Sequence, residues 1–242
     1  MDWWVRSAVI TIGTSVLLAA SGTAQNPETL ARIPQYVALI PDQSDASRAI
    51  GLPSLARAKL PGGAREVRLW VSGPGPVLAS RVLRLVETPD SLWGEVFQWW
   101  FDQEDPTPPV GAREDSSCRW VPSQTASVRP AEDPETVRPM RVVACRLELP
   151  PTDWHPIMQR LDGLQVWSLP SMEVLHWGPD GLEFTKWVDG THLVGETLEG
   201  QSYHAFYWPQ PDVQQDPAGN VAQEIVELVF QLERIGRSSS DR

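Results

Sequence analysis

The sequence has little positive charge, few cysteines and no long hydrophobic run beyond its N-terminus. Its 242 residues include 20 Lys and Arg against 31 Asp and Glu, which gives a formal net charge of -11. Nucleic acids and anionic membranes need a positive protein surface, so this balance argues against both as partners. Two cysteines are too few for a disulfide scaffold, and 41% hydrophobic residues are too many for a disordered chain.

The common catalytic signatures are also missing. The sequence contains no His-Glu-x-x-His, no Gly-x-Ser-x-Gly and no phosphate-binding loop, and Gly73-x-Gly75 lacks the third glycine of a dinucleotide fingerprint. The four histidines are scattered, and none lies four residues from another. We therefore expect no cofactor and no metal site, and we expect a protein without enzymatic activity.

The first 24 residues have the layout of a secretory signal peptide. Arg6 belongs to a short N-terminal region, residues 7–20 are apolar and uncharged, and Gly22-Thr23-Ala24 places small residues before Gln25. The apolar run is shorter than the roughly 20 residues that span a bilayer. We expect export to the periplasm or the extracellular space, with no integral membrane span once the signal is removed. The alternative is that this segment is retained as an N-terminal anchor.

The two cysteines, Cys118 and Cys145, form an even pair in an expected oxidising compartment, which predicts one disulfide. The bond would tie together the ends of a polar, proline-rich segment, and closing a loop of that length is worth at most about 3.5 kcal/mol. The alternative is a reactive thiol. Neither cysteine lies in a Cys-x-x-Cys motif or beside a histidine, which disfavours that alternative.

Strand patterns dominate the chain from residue 65 onwards. Alternation of apolar and polar residues predicts a half-buried strand at 66–71, with Trp70 on its polar side. Further strands are predicted at 81–87, 92–101, 118–120, 141–149, 182–188, 191–198 and 201–208. The turn sequences Asp189-Gly190 and Glu199-Gly200 predict hairpins that join the last three strands into a meander.

Two helices complete the predicted elements. A short helix at 153–162 has one apolar face, with Thr152 as its cap and Gly163 as its left-handed end. A C-terminal helix at 217–235 begins after Asp216, with proline at its first position. The fold class is therefore α+β, a mainly antiparallel sheet with both helices packed on it. We assign residues 25–64 to a lead segment without sustained period, 65–236 to a single domain and 237–242 to a disordered tail.

One stretch resembles known proteins. The sequence RLDGLQVWSLP at 160–170, followed by the two hairpins, by YHAFY at 203–207 and by Pro211-Asp212, is similar to an uncharacterised family of exported proteins from GC-rich bacteria. The resemblance covers about the last third of the chain, and its motifs mark turns and strands. Phe206 and Tyr207 stand where the pattern has a single aromatic residue. The resemblance implies export and a related fold, and it implies no activity.

The meander predicts a cluster of polar and aromatic side chains on one face. If both hairpins have two-residue turns, the cross-strand rows on that face are Trp187 with His192 and Tyr207, and Glu183 with Glu196 and Tyr203. His204 falls on the opposite face, with Leu193, Phe206 and Trp208 as core.

This predicted face has three interpretations. It could be a shallow binding site with an aromatic platform at one end and two carboxylates at the other. The carboxylate pair Glu183 and Glu196 could alternatively perform acid/base chemistry of the glycosidase type. The third interpretation is that the face is simply the solvated or helix-covered side of an amphipathic sheet.

The 12 tryptophans are an unusually large number for this length. Trp70 is a further candidate for binding because an exposed tryptophan can stack on a sugar or anchor a protein interface. Trp99 and Trp100 are adjacent on a strand and therefore point to opposite faces. The alternative is that the tryptophans fill gaps where helices cross the sheet.

Taken together, the sequence favours an exported, non-catalytic binding or interaction module of the cell envelope, whose partner would be an envelope protein or glycan. A basic partner would suit the negative charge, although solubility explains the charge equally well. The alternative is an exported hydrolase of envelope glycan or peptide that uses Glu183, Glu196 and His192.

Overall fold

The structure is a computed structural model that describes residues 43–73, 79–102, 118–122, 141–147, 149, 152–172, 190–214 and 216–240. It contains one sheet of seven strands, in which every neighbouring pair is antiparallel. The strands are β1 (Arg65–Ser72), β2 (Ser80–Thr88), β3 (Ser91–Asp102), β4 (Cys118–Pro122), β5 (Arg141–Arg146), β6 (His192–Glu199) and β7 (Ser202–Pro209). Their order across the sheet is β4-β5-β3-β2-β1-β6-β7.

In the described part of the chain, three helices flank this sheet. They are α1 (Gln43–Ile50), α2 (His155–Gly163) and α3 (Pro217–Ser240), and short 3-10 helices lie at Leu55–Arg57, Val166–Ser168 and Pro211–Val213. The predicted α+β class with a mainly antiparallel sheet is confirmed, as are the two predicted helices. The C-terminal helix runs five residues past its predicted end.

Each face of the sheet is covered by a different part of the chain. We name the face under α2 and α3 the helix face; it carries the main core, in which Leu69 and Leu83 of the sheet meet Leu161 of α2 and Val229 of α3. The opposite face is covered by residues 43–60, and we name it the lead face. Ala46, Ala49 and Leu52 pack there against Trp70, Trp99 and Tyr207.

The central strand β1 is buried on both of its faces, whereas the sequence predicted a half-buried strand. Its neighbours β2 and β6 cover its edges, and the lead segment covers the side that carries Glu66, Arg68 and Trp70. Trp99 and Trp100 point to opposite faces and are both buried, Trp99 against the lead segment and Trp100 beside Ala79, Val143 and Cys145.

The helix ends show how local sequence sets the boundaries. Asp216 accepts hydrogen bonds from the backbone N–H groups of Ala218 and Gly219, at 3.0 and 2.9 Å, which confirms the predicted cap of α3. At α2 the acceptor for the first turn is Asp153, which binds the N–H of His155. The left-handed residue after α2 is Gln165, with φ 55°, so the predicted role of Gly163 is wrong.

Candidate functional site

Most of the residues that the sequence proposed for binding lie in the interior of the lead face. Trp70, His192, Glu196, Tyr203 and Tyr207 all point to this face and are all buried. Glu183 and Trp187 lie outside the described residues, as does the predicted strand 182–188. The surface that the sequence suggested as a shallow binding site is therefore packed under the lead segment in the part that the structure describes.

The predicted register of the last hairpin is wrong by two residues. His192 lies opposite Pro209 and Glu196 opposite Ala205, because the turn is formed one residue later, at Gly200 and Gln201. Gly200 has a φ of 60°, which favours glycine at that point. Because side chains alternate with a period of two, this shift changes the cross-strand partners and leaves every residue on its predicted face.

The other edge of β6 is occupied as well. It pairs with β1 along its whole length, so that Ser72 lies opposite His192 and Arg68 opposite Glu196. The predicted meander had used this edge for residues 182–188 and had placed Glu183 beside Glu196. In the structure, Arg68 of β1 occupies that position beside Glu196.

Glu196 is held by hydrogen bonds from two aromatic side chains. Trp70 Nε1 donates to one carboxylate oxygen at 2.9 Å, and the Tyr203 hydroxyl donates to the other at 3.0 Å. Burial, together with the neighbouring Glu196 carboxylate, raises the pKa of Tyr203 far above its usual range. The phenol is therefore a fixed donor, and the carboxylate has both oxygens engaged in the protein interior.

A row of charged side chains crosses four adjacent strands on the lead face. It consists of Glu95, Arg84, Arg68 and Glu196, one each from β3, β2, β1 and β6. Two like charges directly opposite each other, such as Arg68 and Arg84, destabilise a sheet unless a countercharge intervenes. Glu66 supplies that countercharge, since one of its oxygens accepts from Arg68 at 2.7 Å and from Arg84 at 2.8 Å.

The histidines of β6 and β7 serve opposite faces, as predicted. On the lead face, the rings of His192 and Tyr207 are parallel within 5° with centroids 6.0 Å apart, and His192 Nδ1 lies 2.9 Å from the Tyr207 hydroxyl. On the helix face, His204 Nε2 donates to the carbonyl of Leu169 at 2.8 Å. The two imidazoles therefore cannot join in one site.

The segment that carries the sequence resemblance fastens the sheet at two places. Asp162 accepts two hydrogen bonds from Arg65 at 2.7 and 2.8 Å and one from Trp167 Nε1 at 2.7 Å, which joins the end of α2 to the start of β1. Further on, Ser171 Oγ accepts from the N–H of Tyr207, and the carbonyl of Pro170 accepts from Trp208 Nε1. This segment therefore lies along the outer side of β7.

The opposite edge of the sheet has a different character. The edge strand β4 carries the predicted disulfide, which is confirmed: Cys118 and Cys145 lie directly opposite each other on β4 and β5. Two residues further along, Trp120 is 60% exposed, more than any other large hydrophobic residue that the structure describes. The guanidinium of Arg141 lies 5.8 Å from the centre of the Trp120 ring.

Positive charge is concentrated around this edge. The elements α1, β4 and β5 contain four arginines, Arg48, Arg119, Arg141 and Arg146, against the single carboxylate Asp45. Asp45 pairs with Arg48, and Glu95 of the neighbouring strand β3 pairs with Arg146 at 3.2 Å, whereas Arg119 is exposed and forms no ion pair with another described residue. We name the surface formed by Arg119, Trp120 and these neighbouring arginines the arginine–tryptophan edge.

The predicted strand 118–120 includes Arg119 and Trp120, but neither residue is among the binding candidates predicted from the sequence. A signal was present, because a tryptophan beside an arginine in a five-residue strand that ends at Pro122 is typical of an exposed edge.

Within the described residues, these observations define the class as an α+β protein with an antiparallel sheet covered on both faces, one edge contacted by the segment after α2 and one edge with an exposed tryptophan and arginines. No group of three or more His, Cys, Asp or Glu side chains among the described residues could hold a metal ion. Within the same ranges no helix has the length and apolar character needed to cross a membrane. No protein-family model, no curated protein and no solved structure matches the chain.

Proposed function

We propose that this chain is an exported, non-catalytic binding module of the cell envelope, and that it binds a partner through the arginine–tryptophan edge. The N-terminal sequence supports export, and the disulfide between Cys118 and Cys145 is typical of proteins in oxidising compartments. The resemblance of residues 160–170 and the following strands to exported proteins points in the same direction.

The engagement of the polar side chains of the lead face supports a non-catalytic function. Glu196 holds Trp70 and Tyr203, and Glu66 holds two arginines in the same buried layer. A general acid or base has to reach the atom that gains or loses a proton. These carboxylates instead accept hydrogen bonds from side chains of the protein itself, and they lie beneath the lead segment.

The exposure of Trp120 is the observation that carries the binding function. A tryptophan offers a large apolar surface, and tryptophan and arginine are the residue types most enriched in the energetically important parts of interfaces. The disulfide holds the short strand β4 against β5, so Trp120 is presented from a fixed backbone. Binding to such a surface loses less conformational entropy than binding to a loose loop.

Site-specific photocrosslinking in the cells that produce the protein tests this function. A photoreactive phenylalanine derivative would replace Trp120 in one variant and Trp93, which is 37% exposed on β3, in a matched control. We expect a discrete adduct from position 120 only, and we expect added wild-type chain to compete for it while a Trp120→Ala chain does not. Equal adducts from both positions, or no adduct at position 120, would contradict the proposed function.

A further inference from the structure

The geometry points to the chemical class of the partner: we infer that the arginine–tryptophan edge binds an acidic peptide segment in extended conformation, which pairs with β4 as an additional strand. This inference rests on the proposed function, and it adds both the backbone mode of binding and the charge of the partner. Three observations support it: the orientation of the β4 backbone, the contrast between the two sheet edges and the local charge.

The backbone of Trp120 faces the open side of the sheet. In an antiparallel pair, positions that exchange no backbone hydrogen bonds bring their Cα atoms to about 4.5 Å, against about 5.5 Å for hydrogen-bonded positions. The Cα atoms of Cys118 and Cys145 are 4.0 Å apart, so this is a non-hydrogen-bonded position. Alternation then gives Trp120 and Pro122 the same orientation, with their backbone polar groups directed away from β5.

Pro122 agrees with this orientation. Proline has no N–H to donate and is therefore tolerated where that side of the strand faces outwards. Its carbonyl accepts a hydrogen bond from Arg48 Nη2 at 2.9 Å, which comes from outside the β4–β5 ladder. At the centre of the strand, the N–H and the carbonyl of Trp120 are left directed to the open side, where no other described strand pairs with β4. An extended peptide can bind to these two groups by strand addition.

The other edge of the sheet is occupied at the centre of β7. There Ser171 Oγ binds the N–H of Tyr207, and the side chains of His204 and Trp208 bind the carbonyls of the same segment. Natural sheets commonly protect their edges in this way against pairing with other chains. The contrast assigns strand addition to β4 rather than to β7.

The charge around β4 selects the sign of the partner. Arg119 projects to the lead face, is exposed and forms no ion pair with any other described residue. A carboxylate on the added strand, beside the residue that pairs with Trp120, would lie on the same face as Arg119. A second copy of this chain fits less well as the occupant, because two chains of formal net charge -11 repel each other.

The test uses the full disulfide-bonded chain and three fluorescent nine-residue peptides that alternate Val with Glu, Thr or Lys. Alternation places all the valines on the Trp120 face and all the polar residues on the Arg119 face. By fluorescence anisotropy at 0.1 M salt, we expect the Glu peptide to bind at least ten times more tightly than the Lys peptide. N-methylation of its central backbone nitrogen, which removes one N–H, should weaken binding at least fivefold.

The variants separate the contributions of the two side chains. Trp120→Ala should weaken binding of the Glu peptide at least tenfold, and Arg119→Glu should reverse the preference between the Glu and Lys peptides. The matched controls are Trp93→Ala and Arg57→Glu, exposed residues away from β4, which should leave binding unchanged. The same charge inversion at Arg57 excludes a general effect of net charge.

The outcomes distinguish this inference from the proposed function. If all three peptides bind equally and Trp120→Ala weakens each of them, the acidic preference is overturned and the binding function stands. If no peptide binds while position 120 still crosslinks in cells, strand addition is overturned. If sedimentation shows a dimer that Trp120→Ala dissociates, the occupant is a second copy and the inference is wrong. Loss of both crosslinking and peptide binding overturns both proposals.

Discussion

At the scale of single residues, the lead face shows how a sheet interior accommodates charge. Arg68 is 1% exposed, and it donates to Glu66 and to the carbonyl of Pro53 at 2.7 and 2.6 Å. An unpaired charge in this position would carry a large desolvation cost, whereas a charge with close hydrogen-bonded partners is tolerated. The bond to Pro53 also attaches the lead segment to β1, so the same guanidinium serves both the sheet and its cover.

Tyr203 gives this buried layer a signature at alkaline pH. Its folded pKa lies above its unfolded value of about 10, so the unfolded chain loses the phenol proton first as pH rises. The contribution of Tyr203 to the free energy of unfolding is fully present below pH 10. Above pH 10 it should decrease by about 1.4 kcal/mol for each pH unit. We expect urea unfolding between pH 9 and 11 to show this slope, and Tyr203→Phe to remove it.

The background in that experiment is small because the chain has only two lysines, Lys59 and Lys186, and three tyrosines. Absorbance at 295 nm gives an independent measurement, since a tyrosinate forms only when a phenol ionises. If the native protein gained the Tyr203 tyrosinate signal near the ordinary pKa of about 10, the phenol would not be held neutral by Glu196 and burial.

At the scale of elements, the strands were predictable and their environments were not. Period-two alternation located β1, β2 and β3 within about two residues, because alternation is a property of one strand. Whether Glu66 and Arg68 face water depends on arginines and carboxylates of other strands. The sequence of β1 alone does not show which residues these are. The alternation of β1 therefore predicts a half-buried strand, and it leaves open whether Trp70 is an exposed binding residue or fills a gap in the packing.

The candidate site was predictable to a similar degree. The sequence correctly predicted the sheet face of four site residues, which are His192, Glu196, Tyr203 and Tyr207. The face depends only on the alternation of side chains along each strand. Their cross-strand partners depend on the turn and on β1, which lies more than 100 residues earlier in the chain. The predicted rows are therefore wrong, and the order of the strands is what places Trp120 at an exposed edge.

One buried carboxylate of the C-terminal helix connects it to two strands by hydrogen bonds. Glu233 accepts from Arg81 Nε at 2.6 Å and from Gln98 Nε2 at 2.6 Å, which joins α3 to β2 and β3. Glu233→Ala would leave Arg81 buried without its countercharge, so we expect the free energy of unfolding to fall by about 3–5 kcal/mol. Denaturant unfolding followed by circular dichroism measures this change.

The matched control for that prediction is Glu224→Ala on the same helix. Glu224 lies 3.8 Å from Arg160, and both side chains are largely exposed, so its loss should cost less than about 1 kcal/mol. Glu233→Gln, which keeps a hydrogen-bond acceptor, should fall between the two. Equal costs at positions 224 and 233 would show that the attachment of α3 does not depend on the buried pair.

At the scale of the whole molecule, the lead segment completes the fold by covering the second face of the sheet. Its apolar residues Ala46, Ala49, Leu52 and Leu55 are buried, and α1 spans only eight residues. Such a short helix has too few turns to show a sustained period, which is why sequence patterns gave no sign of this cover. The covered face also holds Arg68 in an internal ion pair with Glu66.

The lead segment should therefore contribute to global stability as a core element does. Leu55 is fully buried with Leu198, Tyr203 and Ala205, and Leu55→Ala should lower the free energy of unfolding by about 2–5 kcal/mol through lost burial and the cavity that remains. The control Lys59→Ala, at an exposed position in the same segment, should change it by less than about 0.5 kcal/mol. Leu55 packs in one cluster with Tyr203, and Tyr203 is connected to the buried Trp70 through Glu196. We therefore expect tryptophan emission and far-ultraviolet circular dichroism to show one coincident unfolding transition. Two separate transitions in Leu55→Ala, with the lead detaching first, would show that the cover is a separable strap and not part of the cooperative core.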